Sequence, residues 1–168
     1  TISKKVFELN IPLLGICYGH QLICKILGGK ISKSEKREFG KTKIQKVIKS
    51  QSPILKGLFK KNLEEVWMSH GDAVTELPKG FLELARSDAS PFSIVGNTVR
   101  KIYGVQFHPE VFHTTNGKKI MENFVNIANI KRNWTPNKIT DDIVARLKSD
   151  IGNKRVICAL SGGVDSTV

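Results

Sequence analysis

Gly15-Ile16-Cys17-Tyr18-Gly19-His20-Gln21 sets a cysteine between two glycines, where a short apolar run gives way to a helical pattern. Upstream, Ile11-Pro12-Leu13-Leu14 has the unbroken apolar character of a strand buried in a parallel sheet. Downstream, Leu22, Ile23, Ile26 and Leu27 fall on one helical face, and Gly28-Gly29 supplies the stop. Strand, tight turn, helix is the geometry of a nucleophile elbow. Gly15 and Gly19 leave room for the turn and for a substrate near the backbone. The helix N-terminus is expected to lower the Cys17 pKa. The amide of Tyr18 can donate to an oxyanion, and Gln21, one turn on, faces the same cleft. A buried structural cysteine is the competing reading.

The composition is ordinary for a globular domain: 168 residues, 40% hydrophobic and 25% charged. One core, or one domain and a piece of another, is expected from that length. No apolar run has the length of a membrane span and no signal peptide is evident. Cys17, Cys24 and Cys158 make no CxxC and cannot all pair, which fits a reducing, cytoplasmic setting. The net charge of +12 raises the question of nucleic acid. The lysines are scattered, however, and their densest stretch, from Lys30 to Lys49, has only Phe39 as an aromatic. A solvated surface accounts for this better than a specific nucleic-acid face. Ile2, Val6 and Leu9 resemble the end of a helix already under way, and both ends of the sequence look cut.

In chain order, Lys30–Ser32 is expected as a short strand, Ser34–Lys41 as a polar loop and Thr42–Ile48 as a strand. An amphipathic segment covers Ile54 to Phe59. Glu65–Ser69 is expected as a strand that delivers Ser69-His70-Gly71-Asp72 at its end, where binding groups collect in α/β folds. A hydrogen-bonded turn capped by Asp72 is the alternative. Phe81–Ala85, Phe92–Val95 and Val99–Tyr103 form a meander, punctuated by Pro78-Lys79-Gly80 and Gly96-Asn97.

Tyr103-Gly104-Val105-Gln106-Phe107 then delivers His108-Pro109-Glu110. In extended chain, residues two apart point the same way, so Glu110 can orient the His108 imidazole. A histidine beside an ordinary surface carboxylate is the alternative. With Cys17 the three meet the logic of nucleophile, base and orienter. Oxygens of Thr114 to Asn116 are expected to cap a helix with Ile120, Phe124, Ile127 and Ala128 on its apolar face. A linker over Asn133–Lys138 precedes a shorter helix, Ile139–Leu147. A last strand, Arg155–Leu160, leads into Ser161-Gly162-Gly163-Val164-Asp165-Ser166-Thr167, whose amides and hydroxyls suit phosphate oxygens. It lacks the Gly-Lys-Ser/Thr element of a Walker A loop.

The elbow, together with Phe107-His108-Pro109-Glu110, resembles the class I (triad) glutamine amidotransferase domain. Trp67-Met68-Ser69-His70-Gly71-Asp72, His113-Thr114 and the late serine-glycine loop narrow the resemblance to the glutamine-hydrolysing GMP synthases. That resemblance implies an α/β fold, an open mixed or parallel sheet with flanking helices, over 1–131. It further implies a linker over 132–150, and from 151–168 the first strand and PP-loop of an adenine-nucleotide α-hydrolase-like ATP pyrophosphatase domain. It makes Cys17 the nucleophile, His108 the acid/base and Glu110 its orienter. Tyr18 becomes a backbone oxyanion donor, Gln21, Ser69, His70 and Asp72 glutamine-pocket residues, and Ser161 to Thr167 the ATP site.

The implied reaction is glutamine hydrolysis feeding ammonia to the Mg-ATP-dependent amination of XMP to GMP. No protein-bound metal and no tightly bound cofactor are implied, and the parent enzyme is expected to be a homodimer through a further domain. The family's earlier glycine-rich oxyanion loop, XMP site and dimerisation domain have no counterpart here. A middle piece of such an enzyme is therefore expected, with little activity of its own. A non-catalytic remnant is the alternative.

Overall fold

Leu13–Ile16 forms a strand (β1) because its neighbour is ready-made: β6, Ile102–Val105, runs parallel to it with Leu13 opposite Ile102 and Ile16 opposite Val105. The computed structural model describes residues 2–47, 51–131, 133, 135–159 and 161–164. The chain divides into two units, Thr1–Ile130 and Lys131–Val168.

The first unit holds a six-stranded sheet in the order β1-β6-β5-β4-β2-β3, with β2 Lys30–Lys46, β3 Leu63–Glu76, β4 Leu82–Arg86 and β5 Ile94–Asn97. Only the β1–β6 pair is parallel; the other pairs are antiparallel. The expected meander is the β4-β5-β6 part. Helix α1, Tyr18–Ile26, and helix α2, Gly117–Ile127, flank the sheet. Alternation along β6 places them. Ile102 joins Phe7, Ile23, Cys24 and Val95 in the cluster under α1, and Gly104 faces His20. Tyr103 and Val105, with Phe107 beyond, join Ile120, Val66 and Met68 in the cluster under α2. Two-residue periodicity thus divides one buried strand between two cores.

Several expectations change. Lys4–Glu8 is a short 3-10 helix started by Ser3 rather than the end of a longer one, and only Phe7 in it is buried. The expected strand–loop–strand over residues 30–48 is one strand as far as Lys46, because β3 supplies ladder partners to polar residues on both sides of a bulge between Lys33 and Glu38, and Ile48 lies outside the described residues. The amphipathic segment becomes a 3-10 turn, Pro53–Leu55, with Ile54, Leu55 and Leu58 buried. Ser69–Asp72 lies inside β3, not at its end. Asn116 occupies the start of α2 without a side-chain cap, since its amide donates to both Glu64 oxygens at 2.9 and 3.0 Å.

In the second unit, helix α3 spans Pro136–Ile151, longer than its apolar pattern indicates, because Thr135 accepts from the Lys138 amide and Pro136 opens the helix. Residues 155–159 form no strand, and Val156 and Ile157 are exposed. A buried strand needs neighbours on both sides, and none of the described residues pairs with this segment. Leu160 and Asp165–Val168 lie outside the described residues.

Candidate active site

Cys17 stands between β1 and α1 with φ 50° and ψ −106°, in the left-handed region that ordinarily favours glycine. Two attachments hold it there. Its amide donates to the Val105 carbonyl at 2.8 Å, and its carbonyl accepts from the Gln21 amide at 3.2 Å. A non-glycine residue kept in such a conformation by strand and helix together is what an elbow requires. Gly15 serves the packing: a Cβ there would lie 2.6 Å from the Gly19 backbone and from Ile23. At Gly19 a Cβ would meet no atom within 4 Å.

His108 leaves the sheet beside Cys17 because β6 is the parallel neighbour of β1. Its amide donates to the Trp67 carbonyl at 3.0 Å, and its carbonyl accepts from the Thr114 hydroxyl at 2.6 Å. That hydroxyl also accepts from the Trp67 amide at 3.1 Å, so Thr114 ties the loop to β3. Glu110 Oε1 lies 2.7 Å from His108 Nδ1. The pairing was expected from extended chain, but Pro109 and Glu110 lie in a turn. The turn seats against α2 at Gly117, where a Cβ would collide with the Pro109 carbonyl.

The sulfur of Cys17 sits between an acceptor and a donor. The thiol donates to the Ser69 carbonyl at 3.6 Å and receives Gln106 Nε2 at 3.9 Å. Its described hydrogen bonds do not include His108. The expected depression of its pKa is not found. Burial pushes it above the ordinary thiol value, with the Glu110 charge adding to this, against the opposing Tyr18 amide and Gln106. Removal of the proton therefore needs a base. Cys24 is buried and pushed up to about 12 by desolvation, whereas Cys158 is exposed.

The expected pocket residues have separate roles. Gln21 Nε2 donates to the Asp72 carbonyl at 2.7 Å and to Gln106 Oε1 at 3.2 Å. With Tyr18, Leu22, Lys25 and Lys33, Gln21 and Asp72 line a cleft of about 880 Å³, which borders the elbow at Tyr18 and Gln21 but does not include Cys17, Gln106 or His108 in its lining. Ser69 contributes its carbonyl. His70 does not face the cleft, because the alternation of β3 turns it inward with Val66 and Met68. There its Nε2 lies 3.2 Å from Glu38 Oε2, which also accepts from the Ser87 hydroxyl at 2.8 Å. Gln106, Glu38 and Ser87 escaped the sequence reading, and Thr114, expected only as a helix cap and a motif residue, instead ties the His108 loop to β3. For Gln106 a signal existed: it is the one polar residue in Tyr103–Phe107. Of the late loop, Ser161 to Val164 are described and exposed, with Ser161 Oγ accepting from the Gly163 amide at 3.4 Å. Among the described residues no cluster of metal ligands and no helix able to cross a membrane occurs.

The family model of class-I glutamine amidotransferases matches residues 1–128. A glutamine-hydrolysing GMP synthase of Phenylobacterium zucineum is 49% identical over 168 residues, covering 99% of this chain and 32% of the relative. One of Clostridium kluyveri is 48% identical with the same coverage. The chain thus spans about a third of the length of these curated relatives. Among solved structures, a putative GMP synthase subunit of Thermoplasma acidophilum superposes with a TM-score of 0.70 at 36% identity, covering 75% of this chain and 61% of that one. A glutamine amidotransferase of Thermotoga maritima, 23% identical with a TM-score of 0.57 over 86% of this chain and 53% of its own, shares the fold.

Proposed function

The chain belongs to the class-I glutamine amidotransferase family, and from that premise we propose that it is the glutamine-hydrolysing part of a GMP synthase. The observation that carries this is the delivery of Cys17 and the His108–Glu110 pair from the same end of two paired parallel strands.

In the proposed reaction His108 Nε2 takes the thiol proton and the Cys17 sulfur attacks the side-chain carbonyl of glutamine. Glu110, hydrogen-bonded to Nδ1, keeps Nε2 free to accept and stabilises the imidazolium that results. The Tyr18 amide donates to the oxyanion. His108 returns its proton to the departing nitrogen, releasing ammonia and leaving a glutamyl thioester. Water, deprotonated by His108, then cleaves that thioester to glutamate. Gln21 and Asp72, on the cleft, hold the substrate.

In the parent enzyme the ammonia is consumed at a second site, where XMP activated by Mg-ATP is aminated to GMP. Residues 161–167 would meet the ATP phosphates, and the parent would be a homodimer. The test is made on the protein that carries this chain. Cys17→Ala is expected to abolish GMP formation from glutamine and to spare formation from ammonium salts. Loss of both would show a structural cysteine; loss of neither would remove the amidotransferase reading.

A further inference from the structure

The polar atoms around Cys17 form a directional chain, and one backbone carbonyl sets its direction. The Asp72 carbonyl only accepts, so the Gln21 atom 2.7 Å from it is the amide nitrogen. That nitrogen is also 3.2 Å from Gln106, so Gln106 turns its carbonyl oxygen toward it. The Gln106 nitrogen is thereby aimed at the Cys17 sulfur, 3.9 Å away. Gln106 is 0% exposed, so solvent does not compete for its amide. The Asp72 carbonyl is braced by a second donor, His70 Nδ1 at 3.0 Å, with Glu38 behind the other ring nitrogen at 3.2 Å.

We propose that Gln106 is a catalytic residue of the glutamine reaction: held by Gln21, it presents an N–H to the Cys17 sulfur and stabilises the thiolate once His108 has taken the proton, with His70 as a positioning residue. The two neighbours of the sulfur act oppositely. The Ser69 carbonyl at 3.6 Å accepts from the thiol and is repelled by the thiolate. The Gln106 N–H gains when charge appears, since hydrogen bonds to ions are about twice as strong as neutral ones. The titratable groups on elements around Cys17 are His108 and Glu110 after β6, His20 on α1, and His70 and Asp72 on β3, with Glu38 behind His70. Of these, the Glu110 charge acts against the thiolate, so the Gln106 donor offsets it.

The proposal rests on the amidotransferase reading for its reaction, but its effect on the sulfur is measurable without turnover. The experiment is the rate of Cys17 alkylation by iodoacetamide across pH, followed by peptide mapping, in the full chain. Gln106→Leu is expected to raise the midpoint by about one pH unit and to slow the neutral-pH rate about tenfold. Gln21→Met frees the Gln106 amide and is expected to shift the midpoint in the same direction by less, and the double variant no further than Gln106→Leu. His70→Leu should follow Gln21→Met, and His70→Asn, which still donates toward the Asp72 carbonyl, should restore the original midpoint. An unmoved midpoint in folded Gln106→Leu overturns the proposal; should that variant not fold, an unmoved midpoint in Gln21→Met does so. A shifted midpoint in a chain unable to hydrolyse glutamine in its parent would instead remove the amidotransferase reading and keep the role at the sulfur.

Discussion

The amide of Cys17 donates to the carbonyl of Val105 at 2.8 Å, fastening the reactive residue to the strand that leads to His108. The bond continues the parallel ladder by one residue beyond Ile16 and Val105. It fixes the cysteine backbone in a conformation that its own φ/ψ preferences oppose, while the histidine follows three residues after the end of β6, at the same end of the sheet. Nucleophile and base are thus registered through the sheet rather than through a bond between their side chains.

Glu110→Gln tests the orienter. The His108–Glu110 pair is 28% and 49% exposed at its side chains, so its loss should change stability by less than about 1 kcal/mol. An amide at residue 110 can donate to Nδ1 and select the wrong tautomer, so kcat for glutamine hydrolysis should fall by about 10²–10⁴. Thermal melts and steady-state rates on the same samples separate the two effects.

Gly117→Ala sets helix propensity against packing. In a helix interior the change favours folding by about 1 kcal/mol, and by less at the first helical position, where Gly117 stands. Here the new Cβ meets the Pro109 carbonyl, and overpacking costs about 1–3 kcal/mol. The expected result is a lower melting temperature with reduced glutaminase, because the His108–Glu110 turn must shift. A raised melting temperature would show that the turn gives way freely.

His20 predicts an acid-sensitive fold. It is fully buried and its pKa is lowered to about 3, by desolvation first and the His70 charge second. Between about 6.5 and 3 the unfolded chain takes up a proton at this residue and the folded one does not. Stability therefore rises with pH through this window and is lost as pH falls below about 6.5, by about 1.4 kcal/mol per unit from this residue. His20→Asn should flatten the pH dependence of the melting temperature; an equally steep profile would locate the acid sensitivity elsewhere.

Cysteine labelling should divide three ways. A small alkylating agent is expected to reach exposed Cys158 readily and Cys24 not at all before unfolding. A glutamine-shaped chloroketone is expected to modify Cys17 in preference to both, because specific binding at the elbow would supply the proximity that compensates for its raised pKa. Mass spectrometry of the labelled peptides checks the order.

The elbow, the meander and the partnership of His108 with Glu110 were legible in the sequence because each rests on neighbours: glycines flanking a cysteine, turn residues between apolar runs, a carboxylate two positions from an imidazole. Where local pattern met long-range pairing, tertiary structure decided. The polar stretch Ser34–Lys41 lies in a strand because β3 runs alongside it and pairs Glu38 to Lys41 with His70 to Trp67. His70 is turned inward because Val66 and Met68 are, and the pleat allows no other parity. The apolar run at Val156 has the composition of a strand and forms none among the described residues, since a strand is made by its neighbours and not by itself. The state of Cys17 follows the same division. Sequence places it at a helix start, which favours the thiolate, but its burial is a property of everything folded around it, and desolvation outweighs the helix and raises its pKa.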